Sequence, residues 1–465
     1  MIPISLQQAA DDARGHLEGA SSVEVTGVVT DTRQISGSEL FVAIKGERVD
    51  GATLAGSAIE AGAAGVLTSD LESALASGAP RERVIVVPDP VIALGHLARE
   101  SLRRARAENP ALKVVAVTGS VGKTTTKDLL AALLAIRGPI IAPPGSFNNE
   151  IGLPLTVLRA GTDTATLVLE MGADKVGNIE YLTDIAPPDV SVVLAVARAH
   201  LGEFGGIDNV ARAKSELVSG TLPGGTVILN GADERVRAMA DLANGPVSFF
   251  GVHGLPGVYA ANVKLDDAGH ADFELVTARG RAHVTLKLVG EHHVANALAA
   301  AAVADSFGID PGYIADVLGA TGPASPHRMA VTEKSGMTII DDSYNANPES
   351  MRAGLDALDD LGEGRRRIAV LGAMLELGEQ SAAEHAAIGE YAAKSGVDVV
   401  VTIGPGTEAL AASAKDNGIT VYSAEADTAL DVLSPIMREG DVILLKGSNG
   451  SGVWRVAETL LGEDC

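Results

Sequence analysis

At 465 residues the chain is too long for one ordinary hydrophobic core, and about three domains are expected. Apolar residues make up 46% of it, enough to fill such cores, while 36 Lys and Arg against 60 Asp and Glu leave a net charge of -24 that opposes a polynucleotide partner. The single cysteine is Cys465, which excludes a disulfide framework and a cysteine-rich metal site.

The first residues, "MIPISLQQAADDARG", lack a basic flank followed by an apolar core, and no apolar run approaches the length of a membrane span. A cytoplasmic protein without membrane insertion is therefore expected. Residues 1–108 hold short strand-like runs, "VEVTGVVTDTR" and "LFVAIKG", then a helical "AGSAIEAGAAGVL" and a further strand, "RVIVVPD". The charged "ARESLRRARAENP" reads as a helix ending at Pro110 and as a linker. From Val114 apolar strands alternate with amphipathic helices, "KVVAVTG", "ATLVLEMG", "VSVVLAVA" and "TVILNGAD", which predicts a largely parallel sheet covered on both faces. Residues 256–290 read as antiparallel strands, and "HHVANALAAAAVADSFG" as a buried helix. A Pro/Gly-rich break, "GATGPASPHR", precedes a second alternating series, "MTIIDDS", "RRIAVLGAM", "VDVVVTIG" and "DVILLKGS". The predicted fold is α/β in three units, 1–108, 109–324 and 325–465, with neither a tandem repeat nor a low-complexity segment.

The segment "VVAVTGSVGKTTTKDLL" carries the strongest chemical signal. Gly119 and Gly122 allow a tight turn with inward N–H groups, the helix beginning near Lys123 adds the positive end of its dipole, and Lys123 supplies a point charge. A polyphosphate fits such a turn, with Ser120, Val121 and Thr125 completing the segment and the Thr124 hydroxyl placed for a Mg²⁺ shell. The usual pattern has its first glycine where this chain has Val117.

What the nucleotide does is less local. Glu170 ends a strand where Mg²⁺ would need an oxygen ligand, and is by itself equally an exposed glutamate. His200 follows "VSVVLAVARA", and a lone histidine is commonly a surface residue. Lys214 in "NVARAKSELV" reads by default as a solvated helix face. Asn230 and Asp233 have the spacing of a guanine-reading Asn-Lys-x-Asp motif, but Gly231 stands where its lysine would be, which weakens a GTP-switch reading. A simple kinase remains an alternative, although three domains exceed what it needs.

Taken together the motifs resemble the Mur ligases, the ATP-dependent amide-forming enzymes of peptidoglycan precursor synthesis. The resemblance rests on "DTRQISGSELFVAIKGERVDG", "TGSVGKTTTK", "GSFNNEIGLPLTVL", "LEMGA", "AHLGEFGG", "AKSEL", "ANALAAAAVA", "HRM", "DDSYNANPESM", "GAMLELGE" and "LLKGSNG", which span nearly the whole chain. "DDSYNANP" and "NNEIGLPL" point to the dipeptide-adding branch rather than to single-amino-acid ligases or folylpolyglutamate synthases.

The resemblance implies ATP and Mg²⁺ as cofactors, with UDP-MurNAc-tripeptide and D-Ala-D-Ala as substrates of a monomer. It implies a UDP-sugar-peptide-binding domain over 1–108, a central P-loop ATPase domain over 109–324 and a Rossmann-like C-terminal domain over 325–465. By the same resemblance Thr124, Glu170 and His200 are metal positions, and Lys214 is a lysine that, in carbamylated form, holds a second metal. Asn296 is implied as the adenine contact, with Arg328 and Asp342 meeting ribose and phosphates. Thr32 and Arg33 would hold the uridine-diphosphate sugar, Asn148 and Asn149 the sugar-peptide, and Tyr344, Asn345 and Asn347 the dipeptide or the nucleotide.

Overall fold

The computed structural model describes residues 1–19, 21–46, 49–197 and 204–462. His200 and Cys465 lie outside the described residues. Three main sheets follow one another along the chain. The first has five strands in the order 16–17, 84–86, 65–68, 39–42, 27–29, parallel except for the edge pair formed by 16–17 and 84–86. The "VEVTGVVTDTR" run divides into two short strands and a 3-10 turn at Thr32–Gln34. In "AGSAIEAGAAGVL" the helix stops at Glu60, and Gly65–Thr68 is an inner strand rather than a helical turn. The break falls at Gly62, whose φ of 105° suits glycine and ends the helix.

The central sheet has nine strands, ordered 280–289, 270–277, 257–265, 247–250, 226–230, 190–193, 113–118, 166–170, 140–141. From strand Gly257–Leu265 through to Ile140–Ile141 every pairing is parallel, and the antiparallel strands predicted over 256–290 extend this same sheet at one edge. Thr166–Glu170 and Val190–Val193 are buried along their whole length because helices cover both faces. The predicted buried helix is His292–Ser306, and its alanines pack it closely against the P-loop helix, Lys123–Leu134. The C-terminal sheet runs 330–334, 337–342, 442–446, 367–372, 399–403, 420–424, antiparallel only at its first pair.

The expected linker helix runs over Pro90–Glu108, with Asp89 capping its first turn through the N–H groups of Val91 and Ile92. It is packed rather than free. Leu94, Leu97 and Leu102 join one apolar cluster with Leu6 and Leu40 on one side and Val114 and Leu153 on the other. Arg106 Nη2 donates to Pro187 O and Asp189 Oδ2, each at 2.9 Å, which fastens the helix to the central sheet. Among the described residues no helix is long and apolar enough to cross a membrane.

Candidate active site

The central strand Lys113–Thr118 delivers the chain into the turn Gly119–Gly122, and the helix starts at Lys123. Val117 belongs to the strand, where its buried side chain packs in the core, so the glycine of the commoner pattern has no role at that point. Gly122 is obligatory: its φ is 82°, and a Cβ there would lie 2.3 Å from Asn296 Oδ1. Lys123 Nζ donates to Gly119 O at 2.8 Å, folding the side chain back over its own turn. Desolvation lowers the Lys123 pKa, while the Glu170 carboxylate nearby acts in the opposite direction.

Parallel pairing of Thr166–Glu170 with the P-loop strand sets Glu170 opposite Val117. Register thus brings the carboxylate to the mouth of the turn. Thr124 Oγ1 donates to Glu170 Oε2 at 3.0 Å, Asn148 Nδ2 donates to Glu170 Oε1 at 2.8 Å, and Ser146 Oγ lies 2.7 Å from Thr124 Oγ1. Arg328 Nη2 reaches in from the C-terminal unit and donates to Thr124 Oγ1 (3.1 Å) and Ser146 Oγ (3.0 Å). Its guanidinium lies over the Tyr344 ring, 4.1 Å from the centroid. His327 and Met329, on either side of Arg328, have φ of 59° and 51°. Such backbone costs on the order of 1–3 kcal/mol per residue and is kept only where surrounding contacts impose it.

Lys214 sits on helix Ile207–Ser219 with 4% of its surface exposed. Burial, reinforced by the Lys123 charge and opposed by Asp174, lowers its pKa to about 7. The solvated-face alternative is thereby overturned. A neutral amine is a nucleophile, and one held near pH 7 is suited to covalent modification. Against Gly122, Asn296 Nδ2 faces His293 Nδ1 at 3.2 Å and Oδ1 accepts from Thr126 at 3.4 Å. An amide nitrogen only donates, so His293 accepts. Burial holds the His293 pKa well below its usual value, which keeps it neutral for that role.

One cleft of about 670 Å³ collects these groups. Gly119–Thr125, Asn148, Asn149, Glu170, Lys214 and Asn296 line it from the central unit, and Arg328, Asp342, Tyr344, Asn345 and Asn347 from the C-terminal one. Thr32 and Arg33 are not among its lining residues; Arg33 is exposed and pairs with Asp31. Two of the asparagines carry a structural duty as well. Asn149 Oδ1 accepts from Gly152 N at 2.9 Å, and Asn347 forms a capping box with Ser350 at the start of helix Pro348–Leu361. The two residues at guanine-reading spacing hold the protein's own backbone: Asn230 Nδ2 donates to Leu194 O, and Asp233 caps the helix Glu234–Arg237.

Sequence reasoning passed over Ser146 and Lys446. Lys446 is 1% exposed; its Nζ pairs with Asp342 Oδ2 and donates to Asn345 O at 3.0 Å, fixing both residues in the cleft wall. A lysine closing the apolar run "DVILL" was the available signal.

A phosphate-cradling turn, a carboxylate on the adjacent strand and a second domain reaching over both define a P-loop nucleotide-dependent protein. Three family profiles match in succession: "Mur ligase family, catalytic domain" over residues 24–101, "Mur ligase middle domain" over 117–304, and "Mur ligase, glutamate ligase domain" over 327–449. The chain is 40% identical to UDP-N-acetylmuramoyl-tripeptide–D-alanyl-D-alanine ligase of Mycobacterium tuberculosis, with 100% of this chain and 99% of that protein aligned. It is 34% identical to the Escherichia coli enzyme of the same name, over 99% of both chains. Among solved structures it is similar to MurF from Acinetobacter baumannii (TM-score 0.87, 29% identity, 99% of both chains). It is also similar to the Thermotoga maritima MurF ligase in complex with ADP (TM-score 0.79, 29% identity, 94% of this chain and 97% of that one). The chain belongs to the Mur ligase family.

Proposed function

We propose that this protein is the ATP-dependent ligase that joins D-alanyl-D-alanine to UDP-N-acetylmuramoyl-tripeptide in peptidoglycan precursor synthesis, working as a monomer in the cytoplasm. The observation that carries the reading is one continuous cleft running from the phosphate turn at Gly119–Thr125 to the C-terminal wall at Tyr344–Asn347. The full-length likeness to enzymes of that name supports the same substrates.

A free carboxylate is too poor an electrophile for amide formation, so the γ-phosphoryl group of ATP goes to the terminal carboxylate of the tripeptide. The amine of the dipeptide then attacks the acyl phosphate, and the tetrahedral intermediate collapses to amide and inorganic phosphate. Lys123 and the Gly119–Gly122 turn hold the phosphates and offset their charge. Arg328 and Tyr344 bring the C-terminal unit over the nucleotide, and Asn296, held by His293, meets the adenine. Closure of that unit excludes water from the acyl phosphate. Thr32 and Arg33 hold the uridine diphosphate outside the cleft, while Asn148 and Asn149 guide the peptide into it.

Thr124, Ser146 and Glu170 form a group of hard oxygen donors, and the Arg328 cation is bonded to the two hydroxyls. That donor set fits Mg²⁺, which Thr124, Ser146 and Glu170 would hold together with His200, while a carbamylated Lys214 would hold a second metal. The ion supplies charge stabilisation to the transferring phosphoryl group when bound.

The test is phosphate release from purified protein with ATP and Mg²⁺, adding the UDP-linked tripeptide and the dipeptide separately and together, with product mass recorded. Release and a pentapeptide mass only with both are expected. Joining of a single amino acid instead would make the protein a different Mur-type ligase.

A further inference from the structure

Lys127 lies one helical turn beyond Lys123 and lines no part of the cleft. It is nevertheless among the largest fully buried side chains, 2% exposed. Its ammonium group has three donors, and three acceptors meet it: Pro143 O at 2.9 Å, Gly145 O at 3.3 Å and Asp128 Oδ1 at 2.8 Å. A buried cation is costly, and an apolar side chain of similar length would fill the same space without that cost. What only the ammonium adds is direction. Two of its bonds end on the loop whose next residue is Ser146, the hydroxyl against Thr124. The third ends on Asp128, whose other oxygen accepts from Ser325 Oγ at 2.7 Å, three residues before Arg328.

We infer that Lys127 is a positioning residue that sets Ser146 against Thr124 and, through Asp128 and Ser325, fixes where the C-terminal unit meets the Mg²⁺·ATP site. It touches neither substrate nor nucleotide. The inference rests on the ATP-dependent reading above, but its test does not require ligation.

The experiment uses the full chain carrying Lys127→Met, Ser146→Ala and the pair together. Binding of a non-hydrolysable ATP analogue is measured by calorimetry over a Mg²⁺ series, alongside kcat, each KM, and thermal unfolding without ligand. Lys127→Met is expected to raise the half-saturating Mg²⁺ about tenfold or more and to lower kcat, with the KM of both peptide substrates unchanged. The double variant should be no worse than the poorer single one, since both changes remove the same placement. Unaltered Mg²⁺ dependence with only a lower unfolding midpoint, or strictly additive losses, would overturn the proposal. If Lys127→Met does not fold, Lys127→Gln, whose neutral amide ends one bond short of the ammonium position and has two donors, is expected to shift the Mg²⁺ dependence in the same direction by a smaller factor, and an unaltered Mg²⁺ dependence in it overturns the proposal as well. Wild-type protein that binds the analogue with Mg²⁺ but joins nothing would refute the ligase reading, while the binding comparison still decides the role of Lys127.

Discussion

Thr124 Oγ1 donates a 3.0 Å hydrogen bond to Glu170 Oε2, joining the first turn of the P-loop helix to the end of the neighbouring parallel strand. The other carboxylate oxygen accepts from Asn148, so both oxygens of Glu170 are engaged as acceptors. Glu170→Gln replaces one of them with an amide nitrogen, which cannot accept. The variant should fold, with its circular dichroism spectrum unchanged, and lose about 10²–10³-fold in kcat. Activity within twofold of wild type would remove Glu170 from the proposed Mg²⁺ site.

Arg328 spans two hydroxyls and an aromatic ring at once, which a planar guanidinium can do and an ammonium cannot. Arg328→Lys should therefore behave nearly like Arg328→Ala, each losing about tenfold to hundredfold in kcat/KM for ATP. Tyr344→Phe keeps the ring and should stay close to wild type. Tyr344→Ala should raise the KM for ATP several-fold, the scale of a lost cation–π contact of roughly 1 kcal/mol. Steady-state kinetics on the four variants separates these outcomes.

The Lys214 pKa falls from 10.5 to about 7 on folding. Between those values the unfolded chain binds more protons than the folded one, so this group makes stability rise with pH from about 7 to 10.5 and adds no slope below 7. Urea unfolding of wild type and Lys214→Met in CO₂-free buffer should show a difference between them that grows in favour of wild type across that window. With ¹³C-bicarbonate, wild type should give a carbamate resonance that Lys214→Arg lacks. Lys214→Ala should be inactive and regain some activity with a small carboxylate in the buffer; full activity without it would remove Lys214 from the site.

Lys446 is buried and pairs with Asp342, whose carboxylate is partly exposed in the C-terminal wall of the cleft. Lys446→Met leaves a carboxylate without its cation, and a loss of about 1–3 kcal/mol is expected in chemical denaturation. Lys446→Met with Asp342→Asn should recover most of that loss, because no uncompensated charge remains. A double variant as unstable as the single one would mean that the bond from Lys446 to Asn345 O, rather than the ion pair, is what matters.

Local chemistry was legible from the amino acids alone. The strand, glycine turn and lysine of 114–130 dictate a phosphate cradle because φ, helix dipole and charge are set within a few residues. The alternation of apolar strands and helices likewise required parallel sheets. The capping box of Asn347 with Ser350 appeared only in the structure, whereas the sequence reading assigns Asn347 a ligand-binding role alone. Tertiary structure decided what depends on register and enclosure. Pairing with the P-loop strand turned Glu170 from an ambiguous strand end into the partner of Thr124. Burial changed Lys214 from a solvated lysine into one with a pKa near neutrality, and it gave Lys127 and Lys446 their fixed bonds. Packing of helix Pro90–Glu108 made a shared core from what read as a linker. A side chain's type is local, but its charge state and its partners depend on which distant segments exclude water from it.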